Sequence, residues 1–119
     1  EALRQEMEAF CTREDAAAFL ASADGVPVGF ATCALRWEYV EGTEQSPAGY
    51  LEGIFVAAAF RRCGAAAGLL RRCEAWAKEK GCAEFASDCE LENEESRLFH
   101  AACGFSEVCR TINFAKRLA

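Results

Sequence analysis

Arg61-Arg62-Cys63-Gly64-Ala65-Ala66 stands between a segment rich in β-formers, Tyr50 to Val56, and the longest helical pattern of the chain, Gly64 to Gly81. Small residues at a helix entrance let the backbone approach a ligand, and the first-turn amides of any helix point outward without intrahelical partners. Such a turn holds a pyrophosphate, with one or both arginines adding charge-assisted hydrogen bonds. An ordinary strand-to-helix turn has the same composition, so the surroundings must decide between the two. Neither GxGxxG nor GxxxxGK[ST] is present, which excludes the dinucleotide-fingerprint and P-loop readings.

Downstream, Ala66, Leu69, Leu70, Cys73 and Ala77 recur at helical spacing, with Arg71, Arg72, Glu74, Lys78 and Glu79 largely opposite and Gly81 as the stop. Glu84 to Ser87 then predicts a short strand. Asn93 is placed to cap a helix whose first turn carries Glu94 and Glu95, carboxylates that favour the positive helix end. Gly104 ends that helix, and Phe105 to Phe114 reads as a last strand. Upstream, Glu41 to Gly49 is a polar loop, and the apolar run Ala17 to Ala23 leads through Asp24-Gly25 into Val28 to Tyr39, a hairpin. Leu3, Met7 and Phe10, at i, i+4 and i+7, predict an amphipathic helix over residues 1 to 10. The order is helix, hairpin, strand, helix, strand, helix, strand, without repeat or linker, which indicates one α/β domain over residues 1–119 with helices layered on a sheet.

Composition narrows the function. A chain of 119 residues that is 52% hydrophobic and 27% charged is globular, and it holds no apolar run of the roughly 18 to 20 residues that span a bilayer. Its 19 acidic against 13 basic residues, a formal charge of −6, argue against nucleic acid as a partner and favour a cationic ligand. Eight cysteines include no CxxC pair, and His100 is the one histidine, so zinc spacing is lacking and no metal is expected. Cys33 and Cys73 fall among apolar residues and read as reduced, core-filling thiols of a cytoplasmic protein, in keeping with the absence of an opening signal peptide.

Arg61 to Ala66 fits the Arg/Gln-x-x-Gly-x-Gly/Ala signature of the GNAT acetyltransferases, and Tyr50-Leu51-Glu52-Gly53-Ile54-Phe55-Val56 resembles one branch, the aminoglycoside 6′-N-acetyltransferases. Glu38 to Thr43, Cys73 to Lys78, Glu84 to Asp88, Asn93, and His100 followed by Gly104-Phe105 extend the resemblance in order over most of residues 36 to 114. It implies a GNAT fold, a mixed central sheet with helices on both faces, and acetyl-CoA as cosubstrate. The coenzyme would lie along Ile54, Phe55 and Val56, with its pyrophosphate on Arg61, Arg62, Cys63, Gly64, Ala65, Ala66 and Ala67. An amide of the Ile54 to Val56 strand would polarise the thioester carbonyl as it becomes an oxyanion.

Further roles follow from the same resemblance. Asn93 would contact the pantetheine arm, and its reading as an N-cap stands beside that. His100 takes the place where many members put a tyrosine near the coenzyme sulfur, and an imidazole there can protonate a departing thiolate; a surface histidine is the competing assignment. Glu52 and Asp88 would hold the acceptor's amines, with Glu52 acting through water as base, while a structural ion pair with Arg36 or Arg62 is the alternative. Trp37 and Tyr39 would line the sugar pocket, hairpin packing competing for Trp37. Glu38, Glu41, Glu44, Glu90 and Glu92 thicken the negative field. The usual family chain opens with a further strand and helix that wall the acceptor site and have no counterpart here, so coenzyme binding is expected to survive better than turnover. Ala57-Ala58-Ala59 and Phe114 also depart from the pattern. A homodimer, through Val108 to Phe114, would cover the exposed sheet edge. Acetylation of a polyamine or peptide amine, and a truncated coenzyme-binding or dimerising module with little turnover, are the rival functions.

Overall fold

The computed structural model describes residues 5–61 and 64–119. The chain divides into two compact units, Glu1–Asp88 and Cys89–Ala119. The first is built on a five-stranded sheet of β1 (Gln5–Thr12), β2 (Ala16–Ala23), β3 (Val26–Arg36), β4 (Ala48–Val56) and β5 (Phe85–Ala86), in that spatial order. The first four strands are antiparallel and β5 joins β4 in parallel, after the crossover helix α1 (Ala65–Glu79). This is the mixed α/β sheet expected.

Local chemistry explains most of these elements. Asp24 and Gly25 both take positive φ, +52° and +81°, which gives the hairpin turn a twist matching its strands and pairs Ala23 with Val26. In β2 the alternation is strict: Ala17, Phe19, Ala21 and Ala23 are buried. Phe19 pairs with Ala31, and Cys33 with Leu51, so one sheet face carries the core. Helix α1 packs on that face through Leu69, Leu70, Cys73, Trp76 and Ala77, each buried leucine contributing about 2 kcal/mol. The Cys33 and Cys73 thiols hydrogen-bond across the layer, and that bond, with burial, pushes the Cys73 thiol above its ordinary value. Both are free thiols filling the core, as expected.

Two elements differ from expectation. Gln5–Thr12 is a strand, not a helix, and Leu3 lies outside the described residues. A lone ten-residue helix is marginal in water, whereas the outer edge of β2 offers a full ladder, interrupted by a bulge between Ala9 and Cys11. The main-chain oxygen of Met7 also accepts from Arg72 Nη1 at 2.7 Å. In the second unit, α2 (Glu94–Ala102) forms as predicted, with Asn93 Oδ1 accepting from the Ser96 amide at 3.0 Å. Phe105 to Phe114 is not a strand: it has no ladder partner among the described residues, and Val108, Ile112 and Phe114 are exposed.

Candidate active site

The site grows from the way β4 leaves β5. Their parallel register holds only Gly49 with Phe85 and Tyr50 with Ala86, while β4 runs on to Val56. Past Tyr50 the outer edge of β4 therefore meets no strand among the described residues, and its peptide groups are available to an extended ligand. Gly49 makes the close pairing possible, since a Cβ there would lie 2.6 Å from Phe85 Cδ1 and 2.7 Å from Ala77 Cβ.

After β4 a single 3-10 turn, Ala58–Phe60, leads toward α1. Gly64 is the N-cap in the left-handed region, φ +88°, a conformation that costs glycine little. Among the described residues no side chain caps the helix, and no acid sits in its first turn, so the amides of Ala65 to Ala67 lie at the positive end of the helix dipole with no carboxylate there. Arg61 Nε donates to the Val56 main-chain oxygen at 3.0 Å, which holds this arginine at the end of β4. Arg62 and Cys63 lie outside the described residues.

Glu52 sits where the β3–β4 register slips: Leu51 pairs with Cys33 and Gly53 with Thr32, leaving Glu52 as the extra residue of a bulge. Bulges re-aim a side chain, and here the carboxylate receives a bidentate pair from Arg36, Nε to Oε2 and Nη2 to Oε1, both at 3.0 Å. The structural partner considered from sequence is thus Arg36. Its guanidinium carbon lies 3.8 Å from the centroid of the Tyr50 ring, and the Tyr50 hydroxyl donates to Asp88 Oδ2. Glu52, Arg36, Tyr50 and Asp88 consequently form one connected group on the sheet face away from α1. Tyr50 is buried, and burial followed by the Asp88 hydrogen bond pushes its phenol up to about 12.

A carboxylate of Glu84 pins the preceding loop by accepting from the amides of Glu44 and Gln45, at 2.8 and 3.0 Å. Trp37 and Tyr39 fall just after β3 and are 64% and 73% exposed, so Trp37 is not a packing residue. Trp37 lines a shallow groove with Arg13, Glu14, Asp15 and Leu35, and Tyr39 does not. Of the three β4 residues expected to line the coenzyme, Val56 is buried, Ile54 half-buried and Phe55 exposed, its ring 6.0 Å from that of Phe30. In the second unit, the His100 Nδ1 lies 2.7 Å from the main-chain oxygen of Ser96 and its ring packs on Phe105 at 5.0 Å. That contact sets the neutral ring's proton on Nδ1. Asn93 acts as the N-cap through Oδ1, which leaves its amide nitrogen for another partner.

The model of the acetyltransferase (GNAT) family matches residues 1–105. The chain belongs to the GNAT acetyltransferase family. The aminoglycoside N(6′)-acetyltransferase type 1 of Acinetobacter haemolyticus is 42% identical over 114 residues, 96% of this chain and 79% of that protein. The solved aminoglycoside N-acetyltransferase AAC(6′)-Iy in complex with CoA is 45% identical, with a TM-score of 0.84 over 87% of this chain and 78% of that one. AAC(6′)-Iy in complex with the bisubstrate analogue CoA-S-monomethyl-acetylneamine is 44% identical, with a TM-score of 0.85 over 89% of this chain and 72% of that one.

Within this GNAT chain, sequence reasoning missed Tyr50 and Glu84 as site residues and treated Arg36 only as a structural partner. A charged residue closing an apolar strand was the available signal for Arg36. Tyr50 and Glu84 carried none, because each acts through a partner about forty positions away.

Proposed function

We propose that this chain transfers an acetyl group from acetyl-CoA to the 6′-amine of an aminoglycoside. The observation that carries this reading is the juxtaposition on β4 of a cation-receptive group, Glu52 with the Tyr50 ring and Asp88, and an outer strand edge that begins where β5 ends. The residues fit the coenzyme: the Ile54, Phe55 and Val56 edge would hold the extended arm. Gly64 with the amides of Ala65, Ala66 and Ala67, and Arg61 with Arg62 and Cys63, would hold the pyrophosphate. Acetyl-CoA supplies the activated acyl group.

The chain's own residues do the rest. Glu52 and Asp88 attract and orient the acceptor's ammonium groups, with Trp37 and Tyr39 beside the sugar rings. Glu52, through water, takes the proton that an ammonium must lose before its nitrogen attacks the acyl carbon directly. A main-chain amide of Ile54 to Val56 stabilises the oxyanion, an effect of about 3 kcal/mol in comparable sites. His100, when its ring carries both protons, gives the Nε2 proton to the thiolate as the carbon–sulfur bond breaks and keeps Nδ1–H on the Ser96 carbonyl, and Asn93 holds the pantetheine arm through its uncommitted amide. Residues 1–119 act as one catalytic domain in this scheme, supported by a family match that crosses both compact units. A cytoplasmic, dimeric enzyme is part of the proposal, supported by the free core thiols and by the exposed Val108, Ile112 and Phe114, which a second copy would cover.

Mass-spectrometric detection of acetyl-kanamycin, beside parallel reactions with spermidine and a peptide amine, tests the reading. Acetylation of spermidine or the peptide alone overturns the choice of acceptor, and coenzyme binding without any transfer leaves only the binding module. Sedimentation of a monodisperse monomer at micromolar concentration overturns the dimer.

A further inference from the structure

We propose that the Arg36 guanidinium is an internal stand-in for the acceptor's ammonium. It occupies a cation subsite made by the Glu52 carboxylate, the face of the Tyr50 ring and the neighbouring Asp88, and the acceptor binds there by displacing it. The identity of the acceptor rests on the aminoglycoside reading above; the subsite rests on the geometry alone.

The backbone of each wall of the subsite is placed by something other than Arg36. Glu52 is turned toward this face by the bulge between its pairing neighbours, a property of the β3–β4 backbone. Tyr50 is buried at 8% exposure, its backbone lies in the β4–β5 ladder, and its hydroxyl is tied to Asp88. The Tyr50 ring and the Asp88 carboxylate tied to it therefore keep their places when the guanidinium leaves, and the Glu52 backbone stays aimed at this face, so much of the receptor is preorganised. Arg36 is the last residue of β3, and its side chain is the long, flexible member of the group.

Its hold is correspondingly exchangeable. The Arg36 and Glu52 side chains are 43% and 37% exposed, so water and salt reach their bidentate pair and an incoming cation can compete for it. The position over the Tyr50 ring, 3.8 Å from its centroid, is one an ammonium can also take. A primary ammonium offers the same charge and three N–H donors to the same carboxylate and ring, without the guanidinium's planar fork. The consequence is selectivity by competition: a singly charged amine gains little by replacing one cation with another. A polyamine-like acceptor also engages Asp88 and the loop acids, and so comes out ahead.

The test uses Arg36→Ala and Arg36→Met, the second keeping an apolar stem over Tyr50 as a safeguard for folding. In kanamycin acetylation both variants should show an acceptor KM about three- to sixfold lower, the factor expected for removing a competitor held by an exposed ion pair, with the KM for acetyl-CoA unchanged. Millimolar methylguanidinium should then inhibit the variants competitively against kanamycin and restore the wild-type KM, while leaving the wild type unaffected. A raised acceptor KM in both variants overturns the proposal, because Arg36 would then organise Glu52. A lowered KM with no response to methylguanidinium overturns it too, since added negative field would explain the change. If the wild type transfers no acetyl group, NMR titration with methylguanidinium separates the two ideas: binding to Arg36→Ala but not to wild type upholds the subsite while the transfer reading fails. Binding to neither sinks the subsite.

Discussion

Tyr50 donates its phenolic hydrogen to Asp88 across the line where β4 and β5 separate. Burial and that bond raise the Tyr50 phenol to about 12, against about 10 for an unfolded tyrosine. The folded state therefore keeps a proton that the unfolded chain loses as pH climbs from 10 to 12. The stabilisation is complete below pH 10 and is lost as pH rises through 12, an effect of at most about 2 to 3 kcal/mol. Tyr50→Phe should cost about 1 kcal/mol at neutral pH through the missing hydrogen bond, and the wild-type stability curve should fall to meet that of the variant and then cross below it between pH 10 and 12, because only the wild type has the phenol to ionise. Urea melts of both proteins across that range check it; parallel curves would show that the bond does not form in solution.

Glu52 is shared between two roles, partner of Arg36 and acceptor-facing base. Glu52→Ala should lower kcat/KM for kanamycin by about 10²-fold or more, as for loss of a general base. Calorimetric affinity for CoA should stay as it was. A parallel loss of CoA affinity would move Glu52 out of the acceptor site.

Gly49 is the point at which β5 and α1 close on β4. An added Cβ meets both Phe85 and Ala77 at distances real side chains do not adopt, so Gly49→Ala should destabilise by about 1 to 3 kcal/mol. Thermal melts read the loss, and an unchanged Tm would mean that β5 moves aside without penalty.

What the sequence made legible was local. Asp24-Gly25 announces its own turn, the Leu69, Leu70, Cys73 and Ala77 spacing announces α1, and Asn93 followed by two glutamates announces α2, because each signal and its structure lie within a few residues. Residues 1 to 10 misled because Met7 and Phe10 fit a helical period, yet β2 supplied a ladder that short-range spacing cannot foresee. Phe105 to Phe114 has strand composition but finds no partner among the described residues. The site was half legible. Glu52 and Asp88 stood out as acids in an apolar context, but the bulge that turns Glu52, and the parallel pairing that carries Tyr50 to Asp88, are products of register between distant strands. Arg36 and Arg62 were equivalent partners on paper; the register of β3 against β4 brings Arg36 to Glu52, and Arg62 lies outside the described residues.

Glu84 joins the end of the crossover to the loop before β4, accepting from two consecutive amides. Glu84→Ala removes both bonds and should free a loop that carries Glu41 and Glu44. Amide exchange at Glu44 and Gln45 should accelerate by about tenfold, as for losing roughly 1 to 1.5 kcal/mol of local hydrogen bonding. Acceptor KM should rise with kcat little changed. Faster exchange with an unaltered KM would make the loop irrelevant to the acceptor.

The start of α1 offers the sharpest test of coenzyme binding, because charge and backbone strain can be varied there separately. Gly64 holds φ at +88° with open space around its Cβ position, so any side chain is strained by the backbone and none by a clash. Asparagine tolerates this conformation better than most residues, and it adds no charge. Gly64→Asn should therefore retain much of the CoA affinity, whereas Gly64→Asp places a negative charge at the uncapped helix end, beside the amides of Ala65 to Ala67, and repels a pyrophosphate. The difference between the two variants isolates that repulsion. A factor of about ten in Kd at low salt corresponds to about 1.4 kcal/mol, and it should shrink as added salt screens the charges. Calorimetry of CoA binding at two ionic strengths measures both effects. Equal affinities for Gly64→Asn and Gly64→Asp would place the pyrophosphate elsewhere and remove the helix start from the coenzyme site.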